Sequence, residues 1–96
     1  MTPNMTYGQP MPGASVKVAY TGTAGTTAAV SANAVAVRVV STTDCFIEIG
    51  TSPTAVADTG LYLVAGLPEY FSCPPSAKVS AIQVASGGTI YVTPFS

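Results

Sequence analysis

Residues 34–50 read AVAVRVVSTTDCFIEIG, and this stretch decides the fold class. From Ala34 to Val40, Val35, Val37 and Val39 fall on one side of an extended chain and Arg38 on the other. The polar cluster Ser41-Thr42-Thr43-Asp44 interrupts the run; Cys45, Ile47 and Ile49 then share a face, with Phe46 and Glu48 opposite. Apolar residues at every second position mark strands with one face in a core, because successive side chains of extended backbone point to opposite sides. Valine and isoleucine, stiff at χ1, suit such a surface. The short polar link predicts that 34–40 and 44–50 pair as a hairpin.

The same period extends outward in both directions. In Ser15 to Tyr20, Val16, Val18 and Tyr20 share a face and Lys17 takes the other. TGTAGT follows as turn chemistry, and Thr27 to Ser31 offers a short strand before the Ala32-Asn33 break. After residue 50, GTSPTAVADTG forms a polar loop around Pro53, long enough to cross from one sheet to another and to include one helical turn. Leu61 to Val64 and Glu69 to Cys73 are brief strands separated by a turn, with Tyr70 and Ser72 opposite Phe71 and Cys73; Pro74-Pro75 stops the second. Lys78 to Val84 and Thr89 to Thr93 flank Ala85-Ser86-Gly87-Gly88, which predicts a hairpin whose glycines adopt positive φ. Helical periodicity never lasts three turns. The expectation is an all-β fold, an antiparallel β-sandwich or jelly-roll of seven or eight short strands.

The chain has 96 residues, enough for one core. Residues 15–96 are expected to form it, preceded by an extended arm over residues 1–14. That arm, MTPNMTYGQPMPGA, carries Pro3, Pro10 and Pro12 and no charge, so it propagates neither helix nor central strand. Its neutrality also departs from the basic start of a secretory signal, so the expectation is a chain that stays in the compartment where it is made. The longest apolar runs are short and broken by residues such as Arg38, which predicts no membrane-spanning helix.

Composition is 48% hydrophobic and 7% charged, against about 25% charged in an average soluble domain. Three basic and four acidic residues leave a net charge of −1. A surface so poor in charge suits a protein that lives assembled, since free monomers rely on charge for solubility.

Chemistry is sparse. There is no histidine, which removes the commonest general base and metal ligand. Of the carboxylates, Asp44 and Glu48 are the only close pair, and Asp44 at its turn is expected to bond nearby backbone N–H groups. Cys45 and Cys73 lack the spacing of a zinc or redox motif and read as unpaired core thiols. Gly87-Gly88 is followed by Thr89 and Ile90, without the lysine of a phosphate cradle. Lys17, Arg38 and Lys78 are isolated in sequence, which argues against nucleic acid. The aromatics are scattered across strands and are expected mostly to fill core or seams. The expectations are therefore no enzyme activity, no cofactor, no metal and no small-molecule substrate.

Val37-Arg38-Val39-Val40, then Cys45-Phe46-Ile47-Glu48-Ile49-Gly50-Thr51-Ser52, Leu61-Tyr62-Leu63-Val64-Ala65-Gly66, Phe71-x-Cys73-Pro74, Ala81-Ile82 and a closing Gly88-Thr89-Ile90-Tyr91-Val92-Thr93-Pro94 form an ordered series. Together this series resembles small tailed-phage capsid cement or decoration proteins, over about two-thirds of the chain. It departs from them at Leu63-Val64-Ala65-Gly66, where a proline-containing turn is usual, and at the terminus Thr93-Pro94-Phe95-Ser96, which lacks the usual glycine. The resemblance implies a β-sandwich or jelly-roll virion protein on the capsid exterior, made in the host cytoplasm. It implies contact with the major capsid protein at seams or symmetry axes, often as a homotrimer or other homo-oligomer. Met5, Tyr7 and Met11 of the arm are the residues expected to touch a neighbouring subunit. A tail, baseplate or head-fibre accessory is the alternative structural role, and a carbohydrate-binding or adhesin module the alternative of another class.

Overall fold

A computed structural model of the chain describes residues 11–96. Eight strands appear in it: β1 (Val16–Tyr20), β2 (Gly25–Thr26), β3 (Ala36–Ser41), β4 (Cys45–Gly50), β5 (Leu61–Leu63), β6 (Glu69–Ser72), β7 (Lys78–Gln83) and β8 (Gly88–Phe95). The first strand pairs with the eighth, the second with the seventh, the third with the sixth and the fourth with the fifth, all antiparallel. Two further pairings, β3 with β8 and β4 with β7, complete two four-stranded sheets. Their orders are β1-β8-β3-β6 (the first sheet) and β2-β7-β4-β5 (the second). The arrangement is sandwich-like.

The alternation read from sequence sets what lies between the sheets. Val37, Val39, Ile90 and Val92 from the first sheet meet Cys45, Ile47, Leu63, Val79 and Ala81 from the second in one buried cluster. Burying such side chains contributes about 1.5–3 kcal/mol each relative to exposure, the main force holding two sheets face to face. Pro94 sits inside β8, where it leaves a gap in the ladder, and its ring is buried instead.

Neither expected hairpin forms. β3 and β4 lie in different sheets, so the link Ser41–Asp44 crosses between layers, and the same holds for β7 and β8. Alternation states which side of a strand is buried, and a short polar link serves a hairpin or a crossing equally well; the competing long-range pairings β3·β8 and β4·β7 extend over six register positions each. Conversely, the 50–60 loop does not cross: it joins neighbours β4 and β5, and its turn is a single one at Ala57–Thr59 with Asp58 at φ 67°. The Thr27–Ser31 strand is displaced to Gly25–Thr26. Beyond it, Thr27 donates its N–H to the Val79 carbonyl and Val30 to that of Ala77, so the segment follows β7 without a regular ladder.

Gly87 and Gly88 do not adopt positive φ either. They are small because the crossing is crowded: a Cβ on Gly87 would lie 2.9 Å from the Tyr20 carbonyl, and one on Gly88 would meet the Thr42 and Thr43 hydroxyls and lie 2.8 Å from that of Tyr20. Tyr20, buried at the end of β1, holds this crossing, its hydroxyl donating to the Thr43 carbonyl at 2.8 Å.

Of the expected arm, Met11 exchanges backbone hydrogen bonds with Ser96, and the Gly13 N–H bonds the Pro94 carbonyl at 2.8 Å. This short stretch therefore continues the pairing beside β8. The register shifts by one residue between Val16↔Val92 and Pro12↔Phe95, as a bulge would require.

Candidate interaction surface

The outward sides of the two sheets differ. On the first sheet, the residues alternating with the core are Lys17 and Ala19 on β1, Tyr91, Thr93 and Phe95 on β8, Arg38 and Val40 on β3, and Tyr70 and Ser72 on β6. The register aligns them in rows: Lys17 beside Tyr91 beside Val40, and Thr93 beside Arg38 beside Tyr70. The Lys17 ammonium lies 5.9 Å from the centre of the Tyr91 ring, a cation–π distance. Tyr70 and Phe95 rings approach at 5.9 Å, tilted by 49°. Tyr70 remains 64% exposed and Tyr91 41%. Among the described residues no carboxylate points out from this side, since Glu69 lies opposite inward-facing Val39. The face is aromatic and positive.

The second sheet is partly covered by its own connection. Ser80, on the outward side of β7, is fully buried because its hydroxyl accepts the Ala55 N–H at 2.8 Å and the Thr26 hydroxyl at 3.2 Å. Glu48, its register partner, accepts the Thr54 N–H at 3.1 Å. Pro53 and Ala55 are buried beneath this loop. The other half of the face is apolar: Phe46 packs edge-on against Tyr62 at 5.3 Å and lies beside Ile82. Asp44 borders it, taking the Tyr62 hydroxyl at 2.6 Å and the Ala65 N–H at 2.8 Å. These bonds to the carboxylate hold Asp44 below its ordinary pKa, the Tyr62 bond first, and the same bond pushes the Tyr62 phenol up. Asp44 thus bonds across the β5–β6 turn and not to the backbone nearby, as its turn position suggested.

The remaining candidates are inert by their surroundings. Both cysteines are free; burial raises the pKa of each, Cys45 being fully inside, so neither is primed as a thiolate. Among the described residues no three His, Cys, Asp or Glu side chains come together as a metal site, and no helix is long and apolar enough to cross a membrane.

Of the arm residues singled out in the sequence, Met11 is exposed at the open end of the first sheet, beside the chain terminus. Met5 and Tyr7 lie outside the described residues. Of the seven aromatics described, only Tyr20 is fully buried; Phe71 packs against the core cluster, while Phe46 with Tyr62 and Tyr70 with Phe95 pair on the outward sides. Lys17 and Arg38, isolated in sequence, share one face. The signal available beforehand was that each is the odd polar residue on the outward side of its strand.

Compared with known proteins, the chain matches no family model, no curated protein and no solved structure.

Proposed function

We propose that this protein is a virion structural component that binds assembled phage capsid at seams or symmetry axes and stiffens it, acting as a homo-oligomeric cement protein with no catalytic role. The observation that carries the reading is the outward face of the first sheet, where Tyr70, Tyr91 and Lys17 stand exposed beside half-buried Arg38, without a carboxylate among them. Tyrosine and arginine are the residues most enriched where protein partners bind. The pairing of first strand with eighth through fourth with fifth supports reading the two sheets as a jelly roll, an architecture that recurs in capsid and lectin domains. The motif series from Val37 to Pro94 supports the choice of a capsid.

The mechanism is mass action. A protein that binds only assembled shell stabilises it by RT ln(1 + [L]/Kd), about 2.7 kcal/mol per site at 100 Kd. Repeated over a shell, that is decisive without any chemistry. A lectin would need amides and carboxylates beside the aromatics to orient sugar hydroxyls, and the positive face has neither.

Co-sedimentation with purified phage particles, followed by mass spectrometry of separated heads and tails, tests the reading. Fixed stoichiometry in the head fraction is expected. Recovery with tails alone would transfer the role to a tail or baseplate accessory, and absence from particles would end the virion reading.

A further inference from the structure

The charges are partitioned between the two outward faces. Lys17 and Arg38 stand on the first sheet, while Asp44 and Glu48 stand on β4 or just before it, on the outward side of the second. Asp58, in the connection that lies over that second face, adds to its negative side; Lys78, at the far end of β7, offsets part of it.

Each charged pair flanks aromatic and aliphatic surface. Between Lys17 and Arg38 lie Tyr91 and Val40, with Tyr70 at the border. Between Asp44 and Glu48 lies Phe46, with Tyr62 and Ile82 at its sides. The spacings also correspond. Lys17 and Arg38 are two strands and two residues apart, about 12 Å between Cα atoms from sheet dimensions. Asp44 and Glu48 are four residues apart along extended chain, about 13 Å.

We propose that the outward face of the first sheet of one copy docks on the outward face of the second sheet of another, Lys17 and Arg38 meeting Asp44 and Glu48 across an aromatic seam. The contact is head-to-tail: each copy offers a different face to each neighbour, so the association forms rings or runs and not an isolated two-fold pair. The carboxylates are already oriented, Asp44 by Tyr62 and Ala65 and Glu48 by Thr54, and each retains acceptor capacity for an incoming cation. A four-stranded face offers only about 14 by 20 Å between its outermost strands, below the roughly 800 Å² per partner of a tight complex, so the contact is weak singly and gains strength by repetition. The inference goes beyond the capsid reading and uses the same face: a first sheet seated on another copy is not free to meet a shell, and only the end copy of a run offers it to one.

Sedimentation velocity of the purified full chain, at up to about 0.5 mM, tests it at low and high salt. The expected result is association at about 0.05 M salt that weakens at least tenfold at about 0.5 M, because the rim charges are exposed. The double variant Lys17→Glu/Arg38→Glu and the single variant Glu48→Lys should each sediment as monomers, yet pair when mixed, since the unaltered positive face of the second meets the unaltered acidic face of the first. Lys17→Gln/Arg38→Gln, which adds no repulsion, should weaken association to a lesser degree. Circular dichroism should show all of them folded, the Lys17/Arg38 variants within a few degrees of the parent melting temperature and Glu48→Lys, which also gives up the Thr54 bond, lower but still cooperative. A parent chain monomeric throughout overturns the proposal, as does association insensitive to salt. Loss of association in the Lys17/Arg38 variants but not in Glu48→Lys also overturns it, because the positive face would then pair with something other than the acidic one.

Discussion

The second sheet takes care of part of its own exterior, and the first does not. Both are four-stranded and share one core, yet the 51–59 connection lays Pro53 and Ala55 over the second sheet and ties itself down through Ser80 and Glu48. Over the first sheet no comparable loop passes among the described residues, and Tyr70 and Tyr91 stay in contact with solvent. The uncovered aromatic face, in a protein with so few charges, is the surface on which the proposed partner contact rests.

This comparison can be broken from several directions. The largest expected effect is at the layer both sheets share: Ile90→Ala, fully buried, should cost about 2–5 kcal/mol while leaving a single cooperative transition in urea. Two separate transitions would mean the sheets are not one unit, and the contrast between their faces would lose its meaning. Next comes the self-cover itself. Ser80→Ala removes the acceptor of the buried Ala55 N–H and should cost about 1–3 kcal/mol in the same measurement. A neutral result would show that the loop is not held by that bond.

Smaller, and lost only at the extremes of pH, is the contribution of Asp44. Its folded pKa lies below the ordinary 3.8, so its stabilisation is complete above that value and is lost as pH falls through the folded value. The raised phenol of Tyr62 has the opposite sign: its contribution is complete below pH 10.0 and disappears as pH rises through the folded value. Melting curves of Asp44→Asn against the parent should therefore differ at neutral pH and converge in acid below 3.8. A gap that persists in strong acid would contradict the bond to Tyr62. Smallest of all is the bare face. Arg38→Gln, half-buried between Thr93 and Tyr70 with no bond to the fold among the described residues, should change stability by less than about 0.5 kcal/mol. A large loss there, read by the same denaturation, would mean that Arg38 serves the fold and not a partner.

In β1, β3 and β4 the side that is buried was legible from alternation alone, although Val35, grouped with Val37 and Val39, lies before β3 and is 62% exposed. Val37, Val39, Cys45 and Ile47 were expected inside and are; Lys17, Arg38 and Glu48 were expected on the opposite side and lie there. Periodicity is a local property, written in neighbouring residues, and extended backbone imposes it without reference to the rest of the chain. The glycines at 87 and 88 show where local reading ends. Turn chemistry suggested positive φ, whereas their smallness answers to the Tyr20 carbonyl and the Thr42 and Thr43 hydroxyls, far away in sequence.

The candidate surface belongs to the same long-range class. The amino-acid order determined that Lys17 and Arg38 each point away from a core, on strands separated by β2. Only the tertiary structure decided that they share a face, because β8 inserts between β1 and β3, setting Tyr91 beside Lys17 and Thr93 beside Arg38. Strand pairing joins residues from about thirty to more than seventy positions apart through backbone hydrogen bonds that any sequence of suitable alternation can make, so the register that assembles the face is set by packing of the whole core and is not written in any single stretch.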